Sequence, residues 1–404
     1  MKINKNRLIN NLEEIKKIGY QKNKGVNRLS LNKNDQKARK WLIKKFKNLG
    51  LSYKVDEAAN LIGKLKSSKS DETNILIIGS HLDSVKNGGK YDGAAGIIAG
   101  LECISILKEN NLELPWNIEL INFTDEEGYH YGGTFGSRAM MGLINEKDLN
   151  MSNSKDIPTM KEDFIKINMD PNKVWNARRK KENIRGYLEL HIEQGNKLYD
   201  NDKDIGIVTG IVGTFRYNIK IKGKANHAGT TSMNQRKDAL ITASKIFNLL
   251  PEWCKTSSEE MVGTIGKIKL FPGTINVIPG LCEFTVELRS KKCEESIRVK
   301  NRLMKWIKNN ATGNVETILE KSGVSMNSKL IQNIKKSAER EKLNYIKLNS
   351  GAGHDAMSFA PYVPTGMIFI PSKNGLSHCP QEYSENEWII KGTQTLLNTI
   401  ISIV

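Results

Sequence analysis

Residues 74–107, NILIIGSHLDSVKNGGKYDGAAGIIAGLECISIL, combine a strand pattern and a helix pattern in one segment. Its first part, residues 74–81, is a short apolar run that ends in small residues, which is typical of a buried parallel strand. Its last part, residues 92–107, has a helical pattern in which Ala and Gly allow close packing. Polar residues lie between the two, just past the strand end, where α/β sheets place their functional sites. The stretch therefore predicts an α/β layer structure.

The sequence on either side extends this alternation and then interrupts it. Residues 37–49 have helical spacing, and residues 117–123 form a second β-rich run that is closed by Thr-Asp-Glu-Glu-Gly. The middle of the chain changes to the order β-α-β-β-α-β, which predicts a small ferredoxin-like domain inserted in the larger one. Its elements are predicted at residues 214–223, 236–250, 260–270, 281–289, 294–309 and 315–319. We therefore predict a large domain at residues 1–206 and 326–404 and an inserted domain at residues 207–325.

Composition excludes several classes of protein. Lys and Arg number 62 against 44 Asp and Glu, a net charge of +18, but the lysines are scattered and form no long basic block. This favours a solvated surface that attracts anionic substrates over a nucleic-acid partner. The five cysteines are odd in number and lack a Cys-x-x-Cys pair, which suits a reducing compartment. No run of 18 apolar residues and no signal-peptide core are present, so we expect a cytoplasmic protein without a membrane partner.

Histidines and carboxylates suggest a metal centre. Most of the six histidines lie in polar, Gly-rich or acidic surroundings instead of apolar stripes. Each one alone could be a buried structural histidine, and each acidic run a solvated loop, so only the joint pattern has weight. Two zinc-like ions with shared carboxylate and water ligands need such a mixed set, which favours zinc, manganese, cobalt or nickel over calcium. The candidate ligands are His81, Asp92, Glu127, His191 and His378, with Asp83 as a partner that orients His81.

Five motifs together resemble a known family. They are Gly79-Ser-His-Leu-Asp-Ser84, Gly88-Gly-Lys-Tyr-Asp-Gly93, Thr124-Asp-Glu-Glu-Gly128, Glu189-Leu-His-Ile-Glu-Gln-Gly195 and Ser377-His-Cys-Pro380. In this order they resemble the M20-type metallo-amidohydrolases, and more narrowly the ureido-acid branch with N-carbamoyl-L-amino acid hydrolase, β-ureidopropionase and allantoate amidohydrolase. The narrower resemblance depends on His191, because peptidase and aminoacylase members have a carboxylate at this position.

The resemblance implies a fold and a set of roles. The fold would be a zinc-peptidase-like α/β sandwich with an inserted ferredoxin-like α+β lid and dimerisation domain. Two divalent ions would be bridged by Asp92, with His81 and His191 completing one site and Glu127 and His378 the other. Glu126 would be the general base that takes a proton from the attacking water.

Residues of the inserted domain and its surroundings would hold the substrate. The resemblance implies that His227, from the partner subunit of a homodimer, stabilises the oxyanion. Asn276 and Arg289 match positions that hold the substrate carboxylate, Gln194 would contact the ureido end, and Gly353 would offer backbone close to the ligand. Asn276 could instead be a turn residue and Arg289 a surface strand residue. Arg216 is a weaker candidate anchor, and His130 and His354 receive no catalytic role.

The implied activity is hydrolysis of linear C–N amide bonds in N-carbamoyl (ureido) acids. An N-carbamoyl-L-amino acid hydrolase, which releases ammonia, carbon dioxide and an L-amino acid, is the first expectation. Allantoate amidohydrolase is the close alternative, and no single residue separates the two. An M20 peptidase or aminoacylase is disfavoured by His191, and a binding protein without chemistry by the complete ligand set.

Overall fold

The computed structural model describes residues 1–71 and 73–403, and the chain divides into two compact units. The larger comprises Met1–Thr209 and Ser325–Val404, and the smaller comprises Gly210–Val324. The larger unit is a mixed α/β structure, as the sequence pattern predicts. No helix among the described residues is both long enough and apolar enough to span a membrane.

The strands of the two units are numbered in chain order. They are β1 (Tyr20–Gln21), β2 (Gly25–Val26), β3 (Ser52–Val55), β4 (Leu61–Leu65), β5 (Ile75–His81), β6 (Asn117–Phe123), β7 (Ile184–Ile192), β8 (Ile205–Ile211), β9 (Gly213–Lys222), β10 (Val262–Phe271), β11 (Leu281–Ser290), β12 (Thr312–Lys321), β13 (Val324–Ser325), β14 (Tyr345–Ser350) and β15 (Thr365–Ile370).

The α-helices are numbered in the same way. They are α1 (Lys5–Lys17), α2 (Lys33–Asn48), α3 (Ala94–Glu109), α4 (Phe135–Met140), α5 (Glu146–Asn150), α6 (Met160–Lys166), α7 (Lys197–Asp200), α8 (Ala239–Lys255), α9 (Cys293–Asn310), α10 (Ser328–Arg340), α11 (Ala356–Phe359) and α12 (Asn386–Ser402).

A nine-stranded sheet organises the larger unit. Its order is β13-β8-β15-β7-β5-β6-β4-β3, with β14 paired to β8. The central strands β6, β5, β7 and β15 are parallel to their neighbours in this group. The strands β5 and β6 are buried along their whole length, which explains the continuous apolar run at the start of β5, whereas β6 also buries polar side chains. The carboxyl ends of these parallel strands consequently meet at one edge of the sheet.

Helix α3 packs closely against the central strands. Its residues 94–107 are all buried, so the helix lacks the polar, solvent-facing side that a surface helix has. At Gly100 an added Cβ would lie 2.6 Å from Leu120 and 2.9 Å from Ile78, so only glycine lets the helix approach the sheet this closely. This approach fixes the start of α3, and with it Asp92, beside the ends of the parallel strands.

The smaller unit follows the order β-α-β-β-α-β. Its antiparallel sheet has the strand order β10-β11-β9-β12, with α8 and α9 over one face. Burial alternates along β9 and β11, as expected for strands with one covered and one open face. The covered face includes Phe215, Tyr217, Phe284 and Val286, which are at most 1% exposed.

Candidate active site

The five ligands predicted from the sequence lie together in the larger unit. His81 ends β5, Glu127 follows β6, and His191 lies one residue before the end of β7. His378 lies in the loop after β15, and Asp92 lies just before α3. The common direction of the parallel strands thus gathers side chains that are far apart in the sequence at one edge of the sheet.

Asp92 lies at the centre of two groups of donor atoms. Its Oδ1 is 3.0 Å from His191 Nε2 and 3.5 Å from His81 Nε2. Its Oδ2 is 3.2 Å from His378 Nε2, which is itself 3.3 Å from Glu127 Oε2. Within each group the donor atoms all lie within 4.8 Å of one another. One carboxylate thus presents a different oxygen to each group.

The histidine tautomers make the donor set suitable for cations. His81 Nδ1 lies 3.0 Å from the Asp83 carbonyl oxygen, and His191 Nδ1 lies 2.9 Å from the Ile192 carbonyl oxygen. Because a carbonyl only accepts, Nδ1 carries a proton in both rings, and Nε2 is the nitrogen of each ring that faces Asp92 and would be free to bind a cation in the neutral form. In the described part of the chain, the buried His81 Nε2 and Glu127 Oε1 have no hydrogen-bond partner. A mixed imidazole and carboxylate set of this kind fits divalent transition metals.

The carboxylates of the cluster differ in their affinity for protons. Burial alone would raise the pKa of Asp92, but His191, His378 and His81 hold it well below its usual value. Burial, with the repulsion of Asp92, raises the pKa of Glu127 well above its usual value. Burial also raises the pKa of Glu126 to about 7, a rise that His81 opposes and Asp83 reinforces. A carboxylate with such a pKa can exchange a proton near neutral pH.

Glu126 faces the cluster without a fixed partner. It is 9% exposed, and its backbone N–H donates to Asp83 Oδ1 at 3.4 Å. Among the described residues, the oppositely charged group that lies within 4 Å of its carboxylate is His81, whose Nε2 is 3.6 Å from Oε2. The carboxylate is therefore held at the cluster by its backbone and remains available to a water or a substrate.

Asp83 acts through two different groups. Its backbone carbonyl, and not its carboxylate, orients the His81 ring, since Oδ1 is 3.6 Å from Nδ1. The carboxylate instead accepts the backbone N–H groups of Glu126 and Glu127 at 3.4 and 3.2 Å. The residue therefore supports His81 and the Glu126–Glu127 loop together.

Gln194 lies against the ligand set and Gly353 beside open space. Gln194 Nε2 donates to Asp92 Oδ2 at 2.8 Å and lies 3.2 Å from His378 Nε2. Its Oε1 is buried without a partner in the described structure. Gly353 follows β14, and the nearest atom to an added Cβ there would be Met357 Sδ at 3.8 Å. Gly353 therefore leaves its surroundings open to a ligand.

The smaller unit carries His227 and Asn276 in facing loops. An isolated bridge pairs His227 with Val277, and the Asn276 carbonyl accepts the Ala228 N–H at 2.9 Å. His227 Nδ1 accepts from the N–H groups of Gly229 and Thr230 at 3.1 and 3.2 Å. The ring proton of a neutral His227 is therefore on Nε2, which makes this exposed side chain a hydrogen-bond donor.

Arg289 and Arg216 share one carboxylate on the open face of the smaller sheet. Glu287 accepts from Arg289 Nε at 2.8 Å and from Arg216 Nε at 2.5 Å. The two arginines lower the pKa of Glu287, although burial alone would raise it. The Glu287 carboxylate thus lies between two guanidinium groups on this face.

The remaining candidate histidines are buried. His130 lies between two carboxylates, with Nδ1 3.2 Å from Asp125 and Nε2 2.9 Å from Asp163. His354 shares a hydrogen bond with Ser350 at 2.8 Å, and its ring packs edge-on against His191 at 4.5 Å. His354 thus limits the rotation of the His191 ring.

Sequence reasoning missed two residues of the cluster, Ser377 and Glu382. The Ser377 hydroxyl lies 2.8 Å from Glu382 Oε2 and 3.1 Å from Asp92 Oδ2. Glu382 also accepts backbone N–H groups from the segment of Asp92. Both residues lie within four positions of His378, which could have indicated a role at the site. Their contacts with the Tyr91–Asp92 segment could not be predicted from the sequence.

With this geometry established, comparison with known proteins identifies the family. Residues 77–402 match the sequence model of the family described as Peptidase family M20/M25/M40. The chain belongs to this family. The motifs that resemble M20 enzymes in the sequence all lie in the matched region.

Individual M20 relatives align over nearly the whole chain. N-carbamoyl-L-amino-acid amidohydrolase from Pseudomonas sp. (strain NS671) is 36% identical, with 99% of this chain and 98% of the relative covered. Allantoate amidohydrolase from Escherichia coli (strain K12) is also 36% identical, with 86% and 85% covered. The crystal structure of a hydantoinase/carbamoylase family amidase from Burkholderia multivorans has a TM-score of 0.87 at 30% identity, with 99% and 98% covered.

Proposed function

We propose that this chain hydrolyses the linear amide bond of N-carbamoyl-L-amino acids and needs two divalent metal ions per subunit. The observation that carries the proposal is Asp92, whose two oxygens face two separate donor groups. Glu126 lies beside them with a free carboxylate. Relatives named N-carbamoyl-L-amino-acid amidohydrolase support the substrate class.

The residues divide into those that bind cations and one that moves a proton. His81, Asp92 and His191 would hold one cation, and Asp92, Glu127 and His378 the other. Cations at these positions would supply Lewis-acid polarisation of the substrate carbonyl and the attacking water. Glu126 takes a proton from that water through its carboxylate and donates a proton to the departing nitrogen. Net addition of one water yields carbon dioxide, ammonia and the free amino acid.

The smaller unit supplies the substrate contacts in this proposal. His227, as an Nε2–H donor from the partner subunit of a homodimer, would bind the oxygen that becomes negative in the transition state. Arg289 would pair with the substrate carboxylate through its planar fork, and Asn276 would add a hydrogen bond. Gln194 and Gly353 of the larger unit would contact the ureido end. The smaller unit would serve as lid and dimerisation domain, and closure would exclude water.

Allantoate is the second candidate substrate. It too is a ureido acid with a carboxylate, so the same ligand set and arginine would serve it. The observation in its favour is the 36% identity to the Escherichia coli allantoate amidohydrolase, equal to that of the first relative.

A substrate panel tests the proposal. Metal-loaded protein is incubated with allantoate, N-carbamoyl-β-alanine, several N-carbamoyl-L-amino acids and their D-enantiomers, and ammonia is measured with and without chelator. We expect chelator-sensitive release from the N-carbamoyl-L-amino acids and little from the D-enantiomers. Preferential release from allantoate would assign the second function. Release from none, with metal bound, would contradict both and leave dipeptides and N-acyl-amino acids to be tried.

A further inference from the structure

A single buried carboxylate joins two segments of the candidate metal centre. Glu382 is 3% exposed and lies in the loop before α12. Its Oε1 accepts the backbone N–H groups of Tyr91 and Asp92 at 2.9 and 3.1 Å. Its Oε2 accepts the Ser377 hydroxyl at 2.8 Å and the His378 N–H at 3.4 Å. One oxygen thus holds the segment of Asp92, and the other holds the segment of His378.

This arrangement requires a carboxylate with two accepting oxygens. An amide in the same place would keep one acceptor but would direct an N–H₂ group at one pair of donors. Either the Tyr91 and Asp92 N–H groups or the His378 N–H would then lose its acceptor, which is costly. The Ser377 hydroxyl, by contrast, could still donate to Asp92 Oδ2 at 3.1 Å. Glu382 therefore differs from a residue that merely fills space, since its shape alone does not satisfy both segments.

Two neighbouring features help to keep Glu382 beside the Asp92 segment. The rings of Tyr91 and Tyr383 pack edge-to-face at 5.7 Å, joining the residues that flank Asp92 and Glu382. A methyl group at Gly89 would overlap the Glu382 carboxyl group, so the absence of a side chain there leaves the carboxylate its place. Gly89 does not require a positive φ, so alanine is acceptable to its backbone.

We propose that Glu382 is a positioning residue that sets Asp92 and His378 at the separation their cation needs. The inference rests on the proposed function only in taking these two residues as ligands. Partners outside the ligand set commonly change metal affinity by about 10–100-fold, so an effect of this size is expected here. Glu382 itself makes no contact with the substrate in this account.

The first test measures metal binding directly. Mn²⁺ is titrated into metal-free wild type and Glu382→Gln, and the dissociation constants are obtained by calorimetry. We expect at least one binding step to weaken about 10–100-fold in the variant. Glu102→Gln is the matched control, because Glu102 is also a buried carboxylate that accepts a backbone N–H, from Asn4 at 2.8 Å, but is outside the cluster. Binding by Glu382→Gln that equals wild type overturns the proposal, as does an equal loss in the control.

The second test displaces the carboxylate without changing its charge. Gly89→Ala should weaken Mn²⁺ binding in the wild type, because its methyl group pushes on Glu382. In a Glu382→Ala background the same change should have little further effect, because the space is then free. Additive losses would overturn the proposal. If the Glu382 variants fail to fold, the single Gly89→Ala variant still tests the proposal because it retains Glu382, and Mn²⁺ binding equal to wild type in that variant would overturn it.

A failure of the positioning role can be distinguished from a failure of the proposed activity. A wild type that binds two Mn²⁺ but releases ammonia from no ureido acid would refute the proposed function and leave the positioning role intact. A wild type that is active, with a Glu382→Gln variant of unchanged metal affinity, would refute the positioning role alone.

Discussion

Replacing Glu126 by Gln separates chemistry from folding and metal binding. Within the described residues, the glutamate side chain makes no hydrogen bond that the amide would break, since its Oε2 is 3.6 Å from His81 Nε2, and its backbone N–H bond to Asp83 does not depend on the side chain. The nearly isosteric amide should therefore not destabilise the metal-free fold, because it also removes the buried negative charge whose cost raises the pKa of Glu126 to about 7. It removes the group that accepts the proton, and a general base contributes about 10²–10⁴-fold to turnover. We thus expect kcat to fall by this factor, or about 3–5 kcal/mol in the activation free energy.

The assay is ammonia release from an N-carbamoyl-L-amino acid, with metal content and urea unfolding measured on the same preparation. Glu127→Gln is the matched control, since it makes the same chemical change in a residue that faces His378 at 3.3 Å. It should lose metal as well as activity, whereas Glu126→Gln should keep its metal. A Glu126→Gln enzyme with near-normal kcat would refute the base assignment.

Three further predictions concern the smaller unit and the buried His130. Mixing the inactive variants Glu126→Gln and His227→Ala should restore up to about a quarter of the wild-type sites in a random mixture of dimers, and no recovery would contradict a His227 contributed by the partner. Arg289→Ala should raise KM for carboxylate substrates with little change in unfolding by urea, and unchanged KM and kcat would exclude its anchor role. Burial alone would lower the pKa of His130, but its two carboxylate partners raise it to about 9. Its stabilising contribution is complete below about pH 6.5 and is lost as the pH rises through about 9. Between pH 7 and pH 10, the free energy of unfolding measured with urea should therefore decrease less in His130→Gln than in wild type. Equal decreases in the two proteins would contradict this role.

The sequence predicts the parts of the structure that depend on local pattern. The apolar run at residues 75–81 and the Ala- and Gly-rich helix after Asp92 imply a parallel α/β sheet with polar residues at its edge, and the structure confirms this fold. The motifs also indicate the family, which the comparison confirms. The fold class and the family can both be predicted because each depends on short motifs whose residues are neighbours in the sequence.

Contacts between residues that are far apart in the sequence could not be predicted from such local patterns. Asp83 was expected to orient His81 through its side chain, but the hydrogen bond comes from its carbonyl, which every residue possesses. Glu382 accepts N–H groups from residues about 290 positions earlier, and nothing in its local sequence indicates which backbone it meets. Nothing next to Gln194 in the sequence indicates that its amide nitrogen donates to Asp92, and its contact with the ureido end stays a prediction. Such contacts depend on how the sheet brings loops together.

The need for two metal ions can be measured as the ammonia released by metal-free protein while Mn²⁺ is added back, with bound metal counted in the same samples. A centre of two cations predicts that activity towards an N-carbamoyl-L-amino acid rises with bound metal and saturates at two ions per chain. It also predicts that Asp92→Asn, which removes the carboxylate shared by both donor groups, abolishes this rise. Ammonia release that persists after chelation, or saturation in the Asp92→Asn variant equal to that of wild type, would contradict it.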